Sequence, residues 1–373
     1  MKLLIAGDCV INQTYDCSNI SQSVIELFAS SNLNIINLEA PVTSSNSKII
    51  KTGPHLKAEE KSTLEVLKTL EVDAVTLANN HVLDYDEKGV EDTLAFCREN
   101  NIQTAGAGMN LEQASKTLFL DTSEGKIAIV NFAENEWASA TAKSAGANPM
   151  DIIDNAKQIK DARQKADFVF VIVHGGHEYY NLPSPRMQKQ YRFYAEQGAD
   201  IVVGHHTHCI NGYETHKGVP IYYSLGNFLF TKSSSYEDWY SGLVLEINID
   251  KQKNIRAALH PVSQQKSSYQ LHLMEKDAKQ NILSRIKEYN TIINDSDKLE
   301  NSWRNYVKVS SATYLKYWSP MTFIKNRYLR ALINKLNIKT INKQGLALYL
   351  NLMRCEIHAD MTKEVLTDYL KQK

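Results

Sequence analysis

The chain has 373 residues, of which 43% are hydrophobic and 23% charged, with 42 Lys plus Arg against 42 Asp plus Glu. That length holds one large domain or two ordinary ones, and the composition is that of a globular protein. A formal net charge of zero gives no global argument for nucleic acid or an anionic membrane, leaving only local patches, and no stretch reaches the ~20 apolar residues of a membrane span.

The N-terminus, MKLLIAGDCVINQ, carries an apolar run too short for a signal peptide and meets Asp8 at once, so it reads as a first strand. Cytoplasm is the expected location, with attachment through partners left open. Cysteines 9, 17, 97, 209 and 355 are odd in number and lack C-x-x-C spacing, which fits reduced thiols. Short β-branched runs predict strands over 3–6, 33–38, 74–78, 127–132, 168–173, 201–203, 221–224, 242–249 and 255–260. Amphipathic stretches predict helices over 22–30, 59–69, 88–99, 150–166 and 186–197. Strands alternating with helices argue for an α/β layered fold. The last strands follow one another without helices, so part of the sheet is mixed or antiparallel.

The texture changes after about residue 262. NILSRIKEYNTII, YLRALINKLN and LALYLNLMRCEI repeat apolar residues at helical spacing. The expected division is a first domain over 1–262 and a helical region over 263–373, broken near Asp295, Pro320 and Asn337. Aromatic residues crowd between Trp303 and Tyr328, among them Tyr314, Tyr317, Trp318 and Phe323. They read as helix core or as an exposed docking face.

Polar residues cluster where the predicted strands end, which is where open α/β sheets place their sites. Asp8 follows a strand and a glycine; it is a hard metal ligand or a turn carboxylate. Asn37 and Glu39 end an apolar strand and share a face, and a buried Glu there is costly unless paired or metal-bound. Asn79, Asn80 and His81 follow the strand at 74–78: an asparagine carbonyl can ligate a metal, and the histidine can donate a proton. His174 ends FVFVIV, Gly175 and Gly176 permit close approach, and His177 and Glu178 follow. His205, His206 and His208 crowd behind the strand at 201–203, and neutral imidazole is the commonest protein metal ligand. Ser224, Gly226 and Asn227 form another strand-end turn, while Glu134 and Glu136 stand at the end of 127–132, acidic enough to contact a cationic substrate group or a metal, or else part of a solvated loop. Mixed oxygen and nitrogen donors suit Mn²⁺, Fe or Zn²⁺ better than Ca²⁺. Six such donors are enough for two ions sharing a carboxylate.

In order along the chain stand AGD at 6–8, NLEAPVT at 37–43, LANNHVLD at 77–84, AGAG at 105–108, VHGGHEY at 173–179, GADIVVGHHTH at 198–208 and YYSLGNFLF at 222–230. Over residues 1–260 this set resembles the CapA-type proteins, named for poly-gamma-glutamate capsule synthesis, within the calcineurin-like metallophosphoesterase superfamily. The resemblance implies a four-layer αββα sandwich, with a helical C-terminal extension outside it, and two divalent metal ions. On that pattern Asp8 and His208 bind a first metal, Asn80, His174 and His206 a second, and Glu39 bridges them. His81 orients substrate or protonates the leaving group. Asn37, Asn79, His177, Glu178, Asn227 and Glu134 contact substrate or support the ligands, and His205 competes with His206. Val10 stands where the superfamily's first strand usually carries a histidine, so the first metal loses one imidazole and keeps that of His208. LDYDEKG replaces the usual Asp-x-Gly after the histidine.

The implied activity is metal-dependent hydrolysis of a phosphoester or polymer amide bond in capsule, exopolysaccharide or poly-gamma-glutamate production. Two cations make hydroxide available near neutral pH and stabilise charge on the attacked group. The substrate is a small molecule or polymer, the partners are polymer-synthesis proteins, and nucleic acid is not expected. The alternative is a non-catalytic accessory or scaffold subunit with a partial metal site. An amidohydrolase barrel fits poorly because His-x-His comes late, and Ser224 lacks a Gly-x-Ser-x-Gly elbow.

Overall fold

The structure, a computed structural model, describes residues 1–336, 340 and 342–371. Its first unit, Met1–Glu300, is built on two large β-sheets; the second, Asn301–Lys373, is helical.

In chain order the strands are β1 (Lys2–Val10), β2 (Leu33–Leu38), β3 (Ala74–Thr76), β4 (Gln103–Ala105), β5 (Ala107–Gly108), β6 (Leu118–Thr122), β7 (Gly125–Ala133) and β8 (Gly146–Ala147). They continue with β9 (Phe168–His174), β10 (Ile201–His205), β11 (Tyr213–His216), β12 (Val219–Tyr222), β13 (Asn227–Phe230), β14 (Ser241–Ile249), β15 (Ile255–Gln264) and β16 (Leu271–Leu273). The first sheet runs β16-β15-β14-β1-β2-β3-β4, with β13 also paired to β1. The second runs β11-β12-β10-β9-β7-β6, and β5 and β8 form a small ribbon. β1 to β4 are mutually parallel, as are β7, β9, β10 and β12, while β14, β15 and β16 are antiparallel, as the missing helices between them require.

The parallel strands are near-continuous apolar runs because both their faces are covered. In β1, Leu3 and Ile5 face one core and Leu4 and Ala6 another. In β9, Phe168, Phe170 and Ile172 join Leu3 and Ile5 between the sheets, while Val169, Val171 and Val173 face outward. Helices α1 (Gln22–Ala29), α2 (Glu60–Thr69) and α3 (Asp86–Glu99) cover the first sheet with Val24, Val66 and Val90. After the one-turn α4 (Leu111–Ala114), α5 (Ile152–Arg163) and α6 (Pro185–Glu196) cover the second with Ile159 and Tyr191. The result is the four-layer αββα sandwich.

Helix α7 (Lys276–Ile293) sends Ile282 and Ile286 into the inter-sheet core. The break at Asp295 separates it from α8 (Ser296–Tyr317), and Pro320 opens a 3-10 turn, Pro320–Phe323, capped by Ser319. Then come α9 (Arg327–Lys335), α10 (Lys343–Arg354) and α11 (Glu356–Lys371); Asn337 lies outside the described residues. All five cysteines are free thiols.

Strand β1 changes partner along its length. Its first half pairs with β14 and its last residues with β13, and the register shifts at Asp8/Cys9. At the changeover a Cβ on Gly7 would lie 2.0 Å from the Gly226 carbonyl oxygen. Only glycine lets the two backbones meet there, and the Asp8 amide donates to that same carbonyl at 3.0 Å.

Candidate metal centre

Period-two alternation decides which side chains meet. Asn37 follows Leu33 and Ile35, His174 follows Phe170 and Ile172, and His205 follows Ile201 and Val203 on the inner faces of their sheets. The C-terminal strand ends of both sheets therefore deliver polar groups to one place. Asp8, Glu39, Asn80, His81, His174, His206 and His208 are all buried there.

Glu39 stands at its centre. It is fully buried, and neither carboxylate oxygen has a hydrogen-bond partner. Its Oε1 lies 3.4 Å from His174 Nε2 and 3.8 Å from His208 Nε2. Two triads share it: Glu39 with His174 and His206, and Glu39 with Asp8 and His208, their ligand atoms within 4.8 Å of one another.

The triad around His174 is the tighter. His174 Nε2 lies 3.1 Å from Asn80 Oδ1 and 3.1 Å from His206 Nδ1. These are the spacings of neighbouring ligands about an ion with bonds of about 2.1 Å. A single N–H on His174 serves only one of Asn80, His206 and Glu39 at a time, whereas a cation can face all of them together. His206 Nε2 faces Glu136 Oε1 at 3.8 Å.

The triad around Asp8 is wider, His208 Nε2 standing 3.8 Å from Glu39 Oε1 against 3.4 Å for His174 Nε2. Asn37 Nδ2 donates to Asp8 Oδ1 at 2.6 Å, and the His206 amide donates to Oδ2 at 3.2 Å. His208 Nδ1 lies 2.9 Å from Asn227 Oδ1, and Asn227 Nδ2 is held by the Trp239 carbonyl at 3.0 Å. The amide is thus oriented to accept from Nδ1–H, which leaves His208 Nε2 bare on the side of Glu39. Val10 supplies no donor, being a buried apolar residue paired with Phe230.

Burial sets the charge states. It pushes Asp8 up to about 7, against the lowering effect of Asn37 and the His206 amide, and raises Glu39 well above the usual carboxylate range, with Asp8 adding to the rise. Burial also lowers the imidazoles, His205 and His206 to about 3 and His208 to about 4, and His174 well below its ordinary value. The histidines are therefore neutral near pH 7, the form that ligates metal. The backbone is strained at the same place: His206 and His208 have φ of 89° and 53°. Non-glycine residues in that region concentrate at functional sites.

His81 lies beside the cluster with its own apparatus. Its Nδ1 lies 2.6 Å from Asp84 Oδ2, and Asp84 also accepts from the Leu56 amide at 2.7 Å and pairs with Lys51. Asn79 serves as a brace, accepting from the His81 amide and donating to the Leu38 carbonyl. A cleft of about 230 Å³ opens over Asn80, His81 and His208, with Glu136, Glu178, Lys51 and Lys232 on its walls.

The remaining sequence candidates sit further out. Glu134 accepts from Arg186 at 2.6 Å and from the Gly176 amide at 3.1 Å, shaping the glycine loop, while Glu136, two residues on, faces His206. His177 lies on that loop under the influence of Glu134 and Arg186. His205 points between the sheets, both its nitrogens lacking hydrogen bonds, with Nδ1 3.5 Å from Asp8 Oδ1. It stands outside both triads. Sequence reasoning missed Lys51 and the role of Asp84. Asp84 was signalled by its place three residues after His81; nothing local signals Lys51, which reaches the site on a long loop.

The four-layer αββα sandwich thus gathers carboxylates and imidazoles at its strand ends. Residues 2–232 match the family model of the bacterial capsule synthesis protein PGA_cap, and the chain belongs to that family. It is 34% identical over 224 residues to the PGA biosynthesis protein CapA of Bacillus subtilis (strain 168), covering 59% of each chain. It is 34% identical over 203 residues to the capsule biosynthesis protein CapA of Bacillus anthracis, covering 52% of this chain and 49% of that one. A "Probable polyglutamine synthesis accessory protein" of Mycobacterium tuberculosis (strain CDC 1551 / Oshkosh) is 25% identical over 206 residues, covering 52% and 54%. The chain thus spans less than two thirds of the length of these curated relatives.

Proposed function

We propose that this protein is a divalent-metal-dependent hydrolase acting on a phosphoester or polymer amide bond in capsule or extracellular polymer production. The observation that carries the reading is Glu39, a buried carboxylate without a hydrogen-bond partner, shared by two ligand triads. An ionised carboxylate in that position costs several kcal/mol unless a cation faces it. Glu39, Asn80, His174 and His206 would hold one ion, and Asp8, His208 and the same Glu39 a second. The chemistry supplied there is hydroxide at neutral pH and stabilisation of charge on the attacked group.

The chain's own residues do the rest. Asp84 takes the Nδ1 proton of His81 as a hydrogen bond, so Nε2 is the atom that exchanges a proton with the leaving group. Lys51 pairs with Asp84 beside the ring and holds it in place. Lys232 on the cleft wall binds an anionic substrate, and Glu136 and Glu178 reject a second anion or bind a cationic group. The place in polymer production comes from the relatives' names.

The test is hydrolysis of a chromogenic phosphodiester and of poly-gamma-glutamate with Mn²⁺ or Zn²⁺ added. Turnover lost in Glu39→Gln and His206→Ala supports the proposal; equal turnover in wild type and both variants rejects it. The accessory-subunit reading draws on the wider Asp8 triad, with Val10 supplying no donor, and on the mycobacterial relative's name. It predicts no turnover on either substrate by a metal-loaded wild type.

A further inference from the structure

Charge is distributed unequally along this neutral chain. Residues 1–300 carry 29 Lys plus Arg against 38 Asp plus Glu, while residues 301–373 carry 13 against 4. Over 301–355 there are ten basic residues and no acidic one. The same stretch leaves large apolar side chains in solvent: Phe323 is 84% exposed, Tyr328 70% and Leu336 60%.

Helix α9 organises both features. Leu329, Leu332 and Ile333 fall at i, i+3 and i+4, one apolar stripe that Leu336, the residue after the helix, continues at i+7. Leu329, Leu332 and Leu336 are exposed. Arg327, Arg330 and Lys335 lie off the stripe. Phe323 and Tyr328 stand at its start, where aromatic side chains settle at a water–hydrocarbon boundary.

We infer that residues 301–373 dock onto an anionic lipid surface, with α9 lying in the interface, its leucine stripe down and its cations among the headgroups. A basic helix with an apolar face is the physical design for that binding, and long cationic side chains reach sideways to lipid phosphates. A soluble polyanion would use the cations and leave the leucine stripe without a role. Among the described residues no helix is long and apolar enough to cross a membrane, so α9 lies on the surface. The inference is independent of the catalytic reading; either can fail alone.

The experiment is co-sedimentation of the full chain with phosphatidylcholine vesicles, with and without phosphatidylglycerol. Wild type should bind the anionic vesicles roughly ten-fold or more tightly than the neutral ones. Arg327→Gln/Arg330→Gln should lose most of that preference, and Leu329→Asp/Leu332→Asp should lose binding to both, with wild-type far-ultraviolet circular dichroism retained. Wild type that stays in the supernatant with anionic vesicles overturns the inference. So does a folded Leu329→Asp/Leu332→Asp protein that binds like wild type and is displaced by soluble poly-glutamate, which would mark a polyanion site. Because the arginine variant touches no buried group, its result stands even where the leucine variant fails to fold.

Discussion

His206 Nδ1 lies 3.1 Å from His174 Nε2, and burial keeps both rings neutral. His174 Nε2 thus faces His206 Nδ1, Asn80 Oδ1 and Glu39 Oε1 together, more acceptors than one ring N–H can serve and a set that a cation can face. His206→Ala should therefore stabilise the metal-free protein or leave it unchanged, while abolishing the metal-induced rise in melting temperature. Differential scanning fluorimetry with and without Mn²⁺ reads both effects.

The carboxylates predict a pH dependence. Asp8 rises from 3.8 to about 7 and Glu39 moves the same way. In the metal-free protein these groups contribute stability that is present below the unfolded carboxylate range and is lost as pH rises through about 7. Metal ligation requires both ionised, so metal affinity rises through the same window, by about ten-fold per pH unit for each proton displaced. The melting-temperature gap between metal-loaded and metal-free protein should widen from pH 6 to pH 8. Both forms unfold to the same chain, so the exposed histidines of the unfolded state cancel. A gap constant with pH would show that Asp8 and Glu39 are not ligands.

Proton transfer by His81 predicts a separation between chemistry and binding. His81→Ala should lower turnover by roughly 10²–10⁴-fold with metal content kept. Asp84→Asn should fall in the same direction, because an amide oxygen is a weaker acceptor for Nδ1–H than a carboxylate and leaves Lys51 without its counter-charge. Turnover numbers set beside elemental analysis decide the matter: metal lost along with activity would make His81 a structural residue.

Gly7→Ala tests how the fold positions the site. The new methyl would overlap the Gly226 carbonyl, so β1 and β13 must part where Asp8 is held. The expected destabilisation is about 1–3 kcal/mol or more, measured by urea unfolding. Metal affinity should fall with it.

Much of the fold was legible because parallel strands buried on both faces announce themselves. The reading of 33–38 coincides with β2, and the runs at 127–132 and 168–173 fall inside β7 and β9. Strands that depend on a partner did not show. β13 is four residues following a glycine turn and exists because β1 bulges to receive it. β6 is a half-exposed edge strand, and β16 is three residues closing the sheet. The site followed the same division. Glu39, His174 and His206 stood out because polar residues ended apolar runs. Lys51 did not, because its contact with Asp84 is made by a loop folding back over 33 residues of sequence separation. Glu134 and Glu136 could not be ranked by spacing; the Arg186 contact that draws Glu134 away is tertiary.

The most direct test of the metal centre is elemental mass spectrometry of the purified protein after incubation with Mn²⁺ or Zn²⁺, beside the His206→Ala/His208→Ala variant. A shared-carboxylate site should give about two ions per chain in wild type, and the variant should lose them. A wild-type protein that binds no metal, or a variant that binds as much as wild type, would contradict the assignment.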